Sequence, residues 1–186
     1  MVEKKRNIFF IALFFLFESL VLSAFSASGE EKAVSEYEVK AAFLYNFVKF
    51  VDWPDGSQGE GKGVVNVCMF GPGPFDSELA KLKDKVVKGR RFAVKYTRST
   101  EEFRGCHVLF ICNSEKGRLR EALKAVKGKG ILTVGDTEGF AQRGVIINFY
   151  LEDKKIRFEI NLDAAREARF SISSQLLRLA RIVKDE

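Results

Sequence analysis

The chain has 186 residues, 46% hydrophobic and 30% charged, with 15 Gly and only 3 Pro, a composition that excludes collagen-like, low-complexity and disordered classes. Its 31 basic and 25 acidic residues give a net charge of +6, which alone does not choose among nucleic acid, anionic lipid and a protein partner. One globular domain is the default, and the N-terminus decides the compartment.

Lys4, Lys5 and Arg6 precede an apolar run from Ile8 to Leu22, broken only at Glu18 and Ser19, and the small residues of LSAFSAS follow. A positive stretch, an apolar core and a permissive cleavage zone with Ala24 and Ser26 at −3 and −1 make residues 1–26 read as a secretory signal peptide. The competing reading is an uncleaved anchor, but Glu18 and a run shorter than the roughly 20 apolar residues of a spanning helix favour cleavage. Residues 27–186 are then a single exported domain. Its net charge is +5, because the leader takes three of the 31 basic and two of the 25 acidic residues. Export sets nucleic acid aside as a partner.

In YEVKAAFLYNFVKFVDWP, Val39, Phe43, Phe47 and Phe50 recur at helical spacing, which predicts a helix burying that stripe and turning Lys40 and Lys49 away from it. Pro54 ends the segment, and Asp55 to Gly63 is a polar, glycine-rich loop. Strand-like runs follow at Val64 to Phe70, at Arg91 to Thr97 with Phe92, Val94 and Tyr96 alternating with Arg91, Ala93 and Lys95, at His107 to Cys112 and at Ile131 to Val134. Helical stretches fall between them at Pro74 to Lys83, near Thr100 to Phe103 and at Ser114 to Val126. Alternating strands and helices with short links predict right-handed βαβ units and a parallel sheet, an α/β fold.

The pattern changes at GVIINFYLEDKKIRFEI, which reads as an antiparallel hairpin. With Asp153 and Lys154 as the turn, Tyr150 faces Arg157 and Asn148 faces Glu159 on one side. Val145, Ile147, Phe149, Ile156, Phe158 and Ile160 occupy the other. The end of the chain reads as two helical stretches divided near Phe170 to Ser173. Ser171 or Ser173 caps the second, and Leu176, Leu179, Ala180 and Val183 form its inward stripe.

The residue chemistry does not assemble a catalytic centre. His107 is the sole histidine, and its neighbour Cys106 points to the opposite side of a strand, so the pair lacks the convergence of a metal site. No G-x-S-x-G elbow is present, and SISS at 171–174 reads as a helix cap. GPGPF at 71–75 lies where a phosphate cradle would, but Pro72 and Pro74 remove two backbone donors and no P-loop lysine follows, leaving a tight turn. Three cysteines in an exported chain invite one disulfide, and spacing leaves both Cys106 and Cys112 open as partners for Cys68. A basic run holds Lys81, Lys83, Lys85, Lys88, Arg90, Arg91 and Lys95 against Asp84; it is either a solvated sheet edge or a docking surface for an acidic protein face or anionic lipid.

Taken in order, YEVKAAFLYNFVKFVDWP, VCMFG, GCHVLFICNSE, ILTVGDTEGFAQRGVIINF, IRFEINLDAA and SISSQLLRLA resemble the YfiR-like periplasmic proteins over about Glu36 to Val183. The resemblance implies a Rossmann-like, mostly parallel sheet with helices on both faces and a C-terminal antiparallel hairpin, commonly as a homodimer and without cofactor, metal or catalytic residues. It implies a periplasmic repressor that binds the sensor region of an inner-membrane diguanylate cyclase and lowers cyclic di-GMP output, restraining biofilm formation. A YfiB-type outer-membrane lipoprotein would sequester such a repressor.

Position by position, the resemblance implies a Cys68–Cys106 bridge with Cys112 as a buried thiol, worth about 3 to 4 kcal/mol. The family's second bridge has no counterpart in GFAQRGVIIN, so redox control through it does not carry over. The match of FEINLD implies partner contact through Glu159 and Ile147, and the hairpin register adds Asn148, Arg157 and Tyr150 beside Glu159. The reading from another class is a periplasmic small-ligand sensor using the carboxyl ends of the parallel strands near Gly71, Asn113 and Asp136. A hydrolase whose residues converge only in the fold is the third.

Overall fold

The computed structural model describes residues 35–54, 63–73 and 75–184. The expected signal peptide, the loop at 55–62 and Pro74 lie outside them.

Helix α1 (Glu36–Phe50) starts at Ser35, whose hydroxyl accepts from Glu38 N–H at 3.1 Å, with Glu36 and Glu38 favourably placed in the first turn. Its buried face is Lys40, Ala41, Leu44, Phe47 and Val48, rotated from the expected stripe. Phe47 is fully buried, Phe43 packs from the flank, and Lys40 points inward. The helix is apolar on most sides, so periodicity alone leaves its rotation loose, and a charged contact described below sets it.

Strand β1 (Val51–Asp52) continues from α1, and β2 (Val64–Phe70) opens the main sheet. The chain then forms α2 (Asp76–Ala80), β3 (Val86–Val87), β4 (Arg90–Thr97) and a 3-10 turn at Thr100–Phe103. Strand β5 (Val108–Ile111) leads through a 3-10 segment, Asn113–Arg118, into α3 (Leu119–Val126) and then β6 (Leu132–Gly135). After a 3-10 turn at Ala141–Arg143 come β7 (Ile147–Glu152), β8 (Lys155–Asn161), α4 (Leu162–Glu167), β9 (Ser171–Ile172), α5 (Ser174–Leu177) and β10 (Arg181–Val183).

Among the described residues the main sheet runs β10-β8-β7-β6-β5-β2-β4-β3. It is parallel except for the β7–β8 and β3–β4 pairs, and β1 and β9 form a separate antiparallel ribbon. One apolar layer gathers α1, α2, α4 and α5, with Phe47 stacked on Phe149 and edge-on to Phe158. On the opposite face α3 and the Thr100–Phe103 turn enclose Phe70, Phe103, Leu109 and Leu119. This is the expected Rossmann-like α/β architecture with its C-terminal hairpin.

Two further expectations change, and the apolar alternation of β4 is buried only in part. Val145 precedes β7 and joins the second layer, opposite Ile147. Phe92 is buried, but Tyr96 is 55% exposed, because the layer that covers Phe92 with Tyr45 does not reach it. The last helix stops after one turn: Ser173 caps it, Leu176 is buried, and Leu179 is 67% exposed. Its expected continuation is instead β10, lying parallel to β8.

Candidate interaction site at the hairpin edge

Doubly wound sheets bind ligands where the strand order reverses, which here is the gap between β2 and β5. Both sides of that gap close on each other. Ser114 Oγ donates to Pro72 O at 3.2 Å, and Cys112 Sγ approaches Gly71 O at 3.4 Å. A Cβ on Gly71 would come within 2.5 Å of Ser114 Oγ, and φ there is +89°, so glycine serves close packing and not a phosphate cradle. Asn113 is tied to Thr137, whose Oγ1 donates to its Oδ1 at 3.2 Å.

Asp136 accepts from Lys40 Nζ at 2.9 Å, and Glu36 meets the same ammonium at 2.5 Å. The rings of Tyr37 and Phe75 lie 5.4 and 5.9 Å from Nζ. Burial pulls the Lys40 pKa down, but the two carboxylates outweigh it and hold the ammonium above the ordinary lysine value. This pair fixes the rotation of α1. His107 is likewise structural: it is buried, and its Nδ1 accepts from Asn66 N–H at 3.0 Å.

The basic run is largely engaged. Lys81 pairs with Glu78 and Lys88 with Asp52, while Arg90 donates to Val64 O and Arg91 stands 3.9 Å from Asp84. Cys68 and Cys106 form the disulfide, leaving Cys112 as a buried free thiol.

The hairpin has the expected register, with Asn148 opposite Glu159 and Tyr150 opposite Arg157. Asp153 and Lys154 have φ of 49° and 59°, the two left-handed residues of a type I′ turn whose twist suits the flanking strands. Its polar side is nonetheless covered at the base. Asn148 Nδ2 donates to Glu159 Oε1 at 3.2 Å and to Thr137 O at 3.0 Å. From β10, in register with Glu159, Arg181 donates through Nε and Nη2 to Glu159 Oε2 at 3.1 and 2.5 Å. Its guanidinium also lies 4.0 Å from the centre of the Tyr150 ring.

Of the five residues expected at a partner interface, Ile147, Asn148 and Glu159 are therefore at most 2% exposed. Ile147 packs in the core and the other two are held by internal bonds, so none of the three offers a ready surface contact. Half-buried Tyr150 and exposed Arg157 do reach the surface. Sequence reasoning missed Arg181, Leu179 and Ile182, because LLRLARIV carries apolar residues at helical spacing. Arg181→Ala strands the Glu159 carboxylate and is expected to cost about 2 kcal/mol in urea denaturation, below the value of a fully buried pair because Arg181 is half exposed.

The YfiR/HmsC-like family model matches residues 37–181, nearly the whole described fold. The chain belongs to the YfiR/HmsC-like family. This is a family of periplasmic, regulatory and non-catalytic proteins that act with signalling partners. No curated protein matches the chain. A crystal structure of a conserved domain protein from Vibrio cholerae O1 biovar eltor str. N16961 is similar with a TM-score of 0.55 at 11% identity, covering 81% of this chain and 60% of that one. The likeness at that identity concerns the fold. In this YfiR/HmsC-like chain the fold leaves an open edge at β10, whose outer side pairs with no strand among the described residues.

Proposed function

We infer that the chain is a periplasmic negative regulator that docks on the periplasmic sensor region of an inner-membrane diguanylate cyclase and lowers cyclic di-GMP output. The observation that carries this reading is the β10 edge. Unpaired strand edges recruit another chain, and here Ile182 is 45% and Leu179 67% exposed beside the Arg181–Tyr150 pair. A polar rim around a small apolar centre suits a protein interface. Membership of a regulatory family and the closed switch point favour binding over catalysis. A YfiB-type lipoprotein that occupied the same edge would relieve the repression by competition.

The test adds the oxidised mature domain to the cognate cyclase reconstituted in vesicles with its sensor region accessible. Cyclic di-GMP synthesis is expected to fall, and Ile182→Lys, a change on an exposed side chain, is expected to weaken repression at least tenfold while the fold keeps its stability. A cyclase that stays fully active with folded, oxidised regulator present overturns the reading.

A further inference from the structure

Inside the sheet, ahead of their short paired stretch, β6 and β7 part. Strand β6 is in register with β7 only at Val134–Ile147 and Gly135–Asn148. Just before, Ile146 N–H donates to the Thr133 side chain at 3.0 Å instead of continuing the backbone ladder. A cavity of about 980 Å³ opens at this split, lined by residues of α3, α4 and the segments leading into β6 and β7. Its volume is that of a small-molecule site, for which about 300–1,000 Å³ is usual.

Two chemistries meet there. Leu119, Leu123, Ile131, Ile146 and Ala164 supply an apolar lining. Arg120, Lys124, Lys129, Arg143 and Arg169 also line the cavity, and all five are exposed. Lys127 is paired with Glu167 at 2.6 Å, but none of those five cations has a carboxylate partner among the described residues. Five unneutralised cations around one apolar hollow form a strongly positive site.

Arg169 adds an independent sign. It ends α4 in a Schellman arrangement, with Phe170 N–H donating to Ala165 O and Arg169 N–H to Arg166 O, both at 2.9 Å. The residue at this position takes left-handed backbone, here φ 61°, where glycine carries no Cβ penalty. The chain places an arginine there, strained in its backbone and without an internal partner for its charge. Strain held at a cavity lining is a feature of ligand sites.

We propose that this cavity binds an amphipathic monoanion, an acid whose apolar body fills the hollow and whose carboxylate or equivalent group meets Arg143, Arg169 and Lys124. The site stands apart from the β10 edge and does not depend on the regulatory reading. Its chemistry suits a free organic acid that diffuses into the cavity, as distinct from the face of an anionic bilayer.

Titration calorimetry on the oxidised domain tests it with decanoate, decyltrimethylammonium, inorganic phosphate and phosphatidylglycerol vesicles. Decanoate is expected to bind at least tenfold more tightly than the cation of equal tail length and than phosphate. Arg169→Gly is expected to raise the melting temperature, since it relieves the backbone, and to weaken decanoate binding several-fold. Lys124→Gln and Arg143→Gln added to it should abolish measurable binding. Equal affinity for both decyl ions, decanoate affinity unchanged in the triple variant, or binding to vesicles without binding to decanoate each overturns the proposal.

Discussion

Replacing Cys68 and Cys106 together by alanine is expected to lower the unfolding free energy by about 3 to 4 kcal/mol, read from urea denaturation of the oxidised domain. The bridge joins β2 to Cys106, two residues ahead of the neighbouring β5, across a sequence separation of 38. That span contains α2, β3, β4 and the Thr100–Phe103 turn, so cutting the bridge frees a long loop in the denatured chain while leaving native packing nearly intact. Both sulfurs lie in the layer with Phe70, Phe103 and Leu109, where alanine creates only a small void. The parent protein should show one reactive thiol, Cys112, and only after unfolding, because that side chain is buried. Three thiols in the protein isolated under oxidising conditions, or a double variant as stable as the parent, would remove the bridge as a source of stability.

The hairpin was legible in the sequence because its signals are local. Alternation of period two fixes the faces, and two turn residues fix the register, so Asn148–Glu159 and Tyr150–Arg157 follow from counting. The consequence of that register was not legible. Whether the polar face stays wet depends on β10, which arrives from twenty residues further on, and QLLRLARIV satisfies a helical stripe as well as a short edge strand. Arg181 covers Glu159 only once that strand has docked. In the same way α1 was found but mis-rotated, since its partner Asp136 lies 96 residues away. The contiguous basic run stood out in the sequence yet is mostly engaged with its own carboxylates and carbonyls. The cations of the cavity, spread from Arg120 to Arg169, form no motif and converge only through the split between β6 and β7. The disulfide partner was supplied by family resemblance, because Cys106 and Cys112 flank the same strand and spacing cannot separate them.

Lys40 is a buried charge held between two carboxylates, Glu36 and Asp136. Lys40→Ala removes an ammonium that is 6% exposed and leaves Asp136, itself 15% exposed, without its cation. A loss of about 3 kcal/mol in urea denaturation is expected, at the low end for breaking a buried pair because Glu36 reaches solvent. Lys40→Met combined with Asp136→Leu should recover most of that loss, as apolar replacements of buried pairs often do. If the double variant is as unstable as the single, the pair contributes more than mutual neutralisation. The pH dependence has a defined sign. The folded lysine pKa is raised above its unfolded value, so its stabilisation is complete below the unfolded value and disappears as pH climbs through the folded one. The stability difference between the parent and Lys40→Met should therefore hold from neutral pH to mildly alkaline pH and shrink only in strong alkali. A difference that vanished between neutral and mildly alkaline pH would mean that Lys40 is not held charged by Glu36 and Asp136. The rotation of α1, and with it the packing of Phe43 and Phe47 on Phe149 and Phe158 of the hairpin, would then have to come from shape alone.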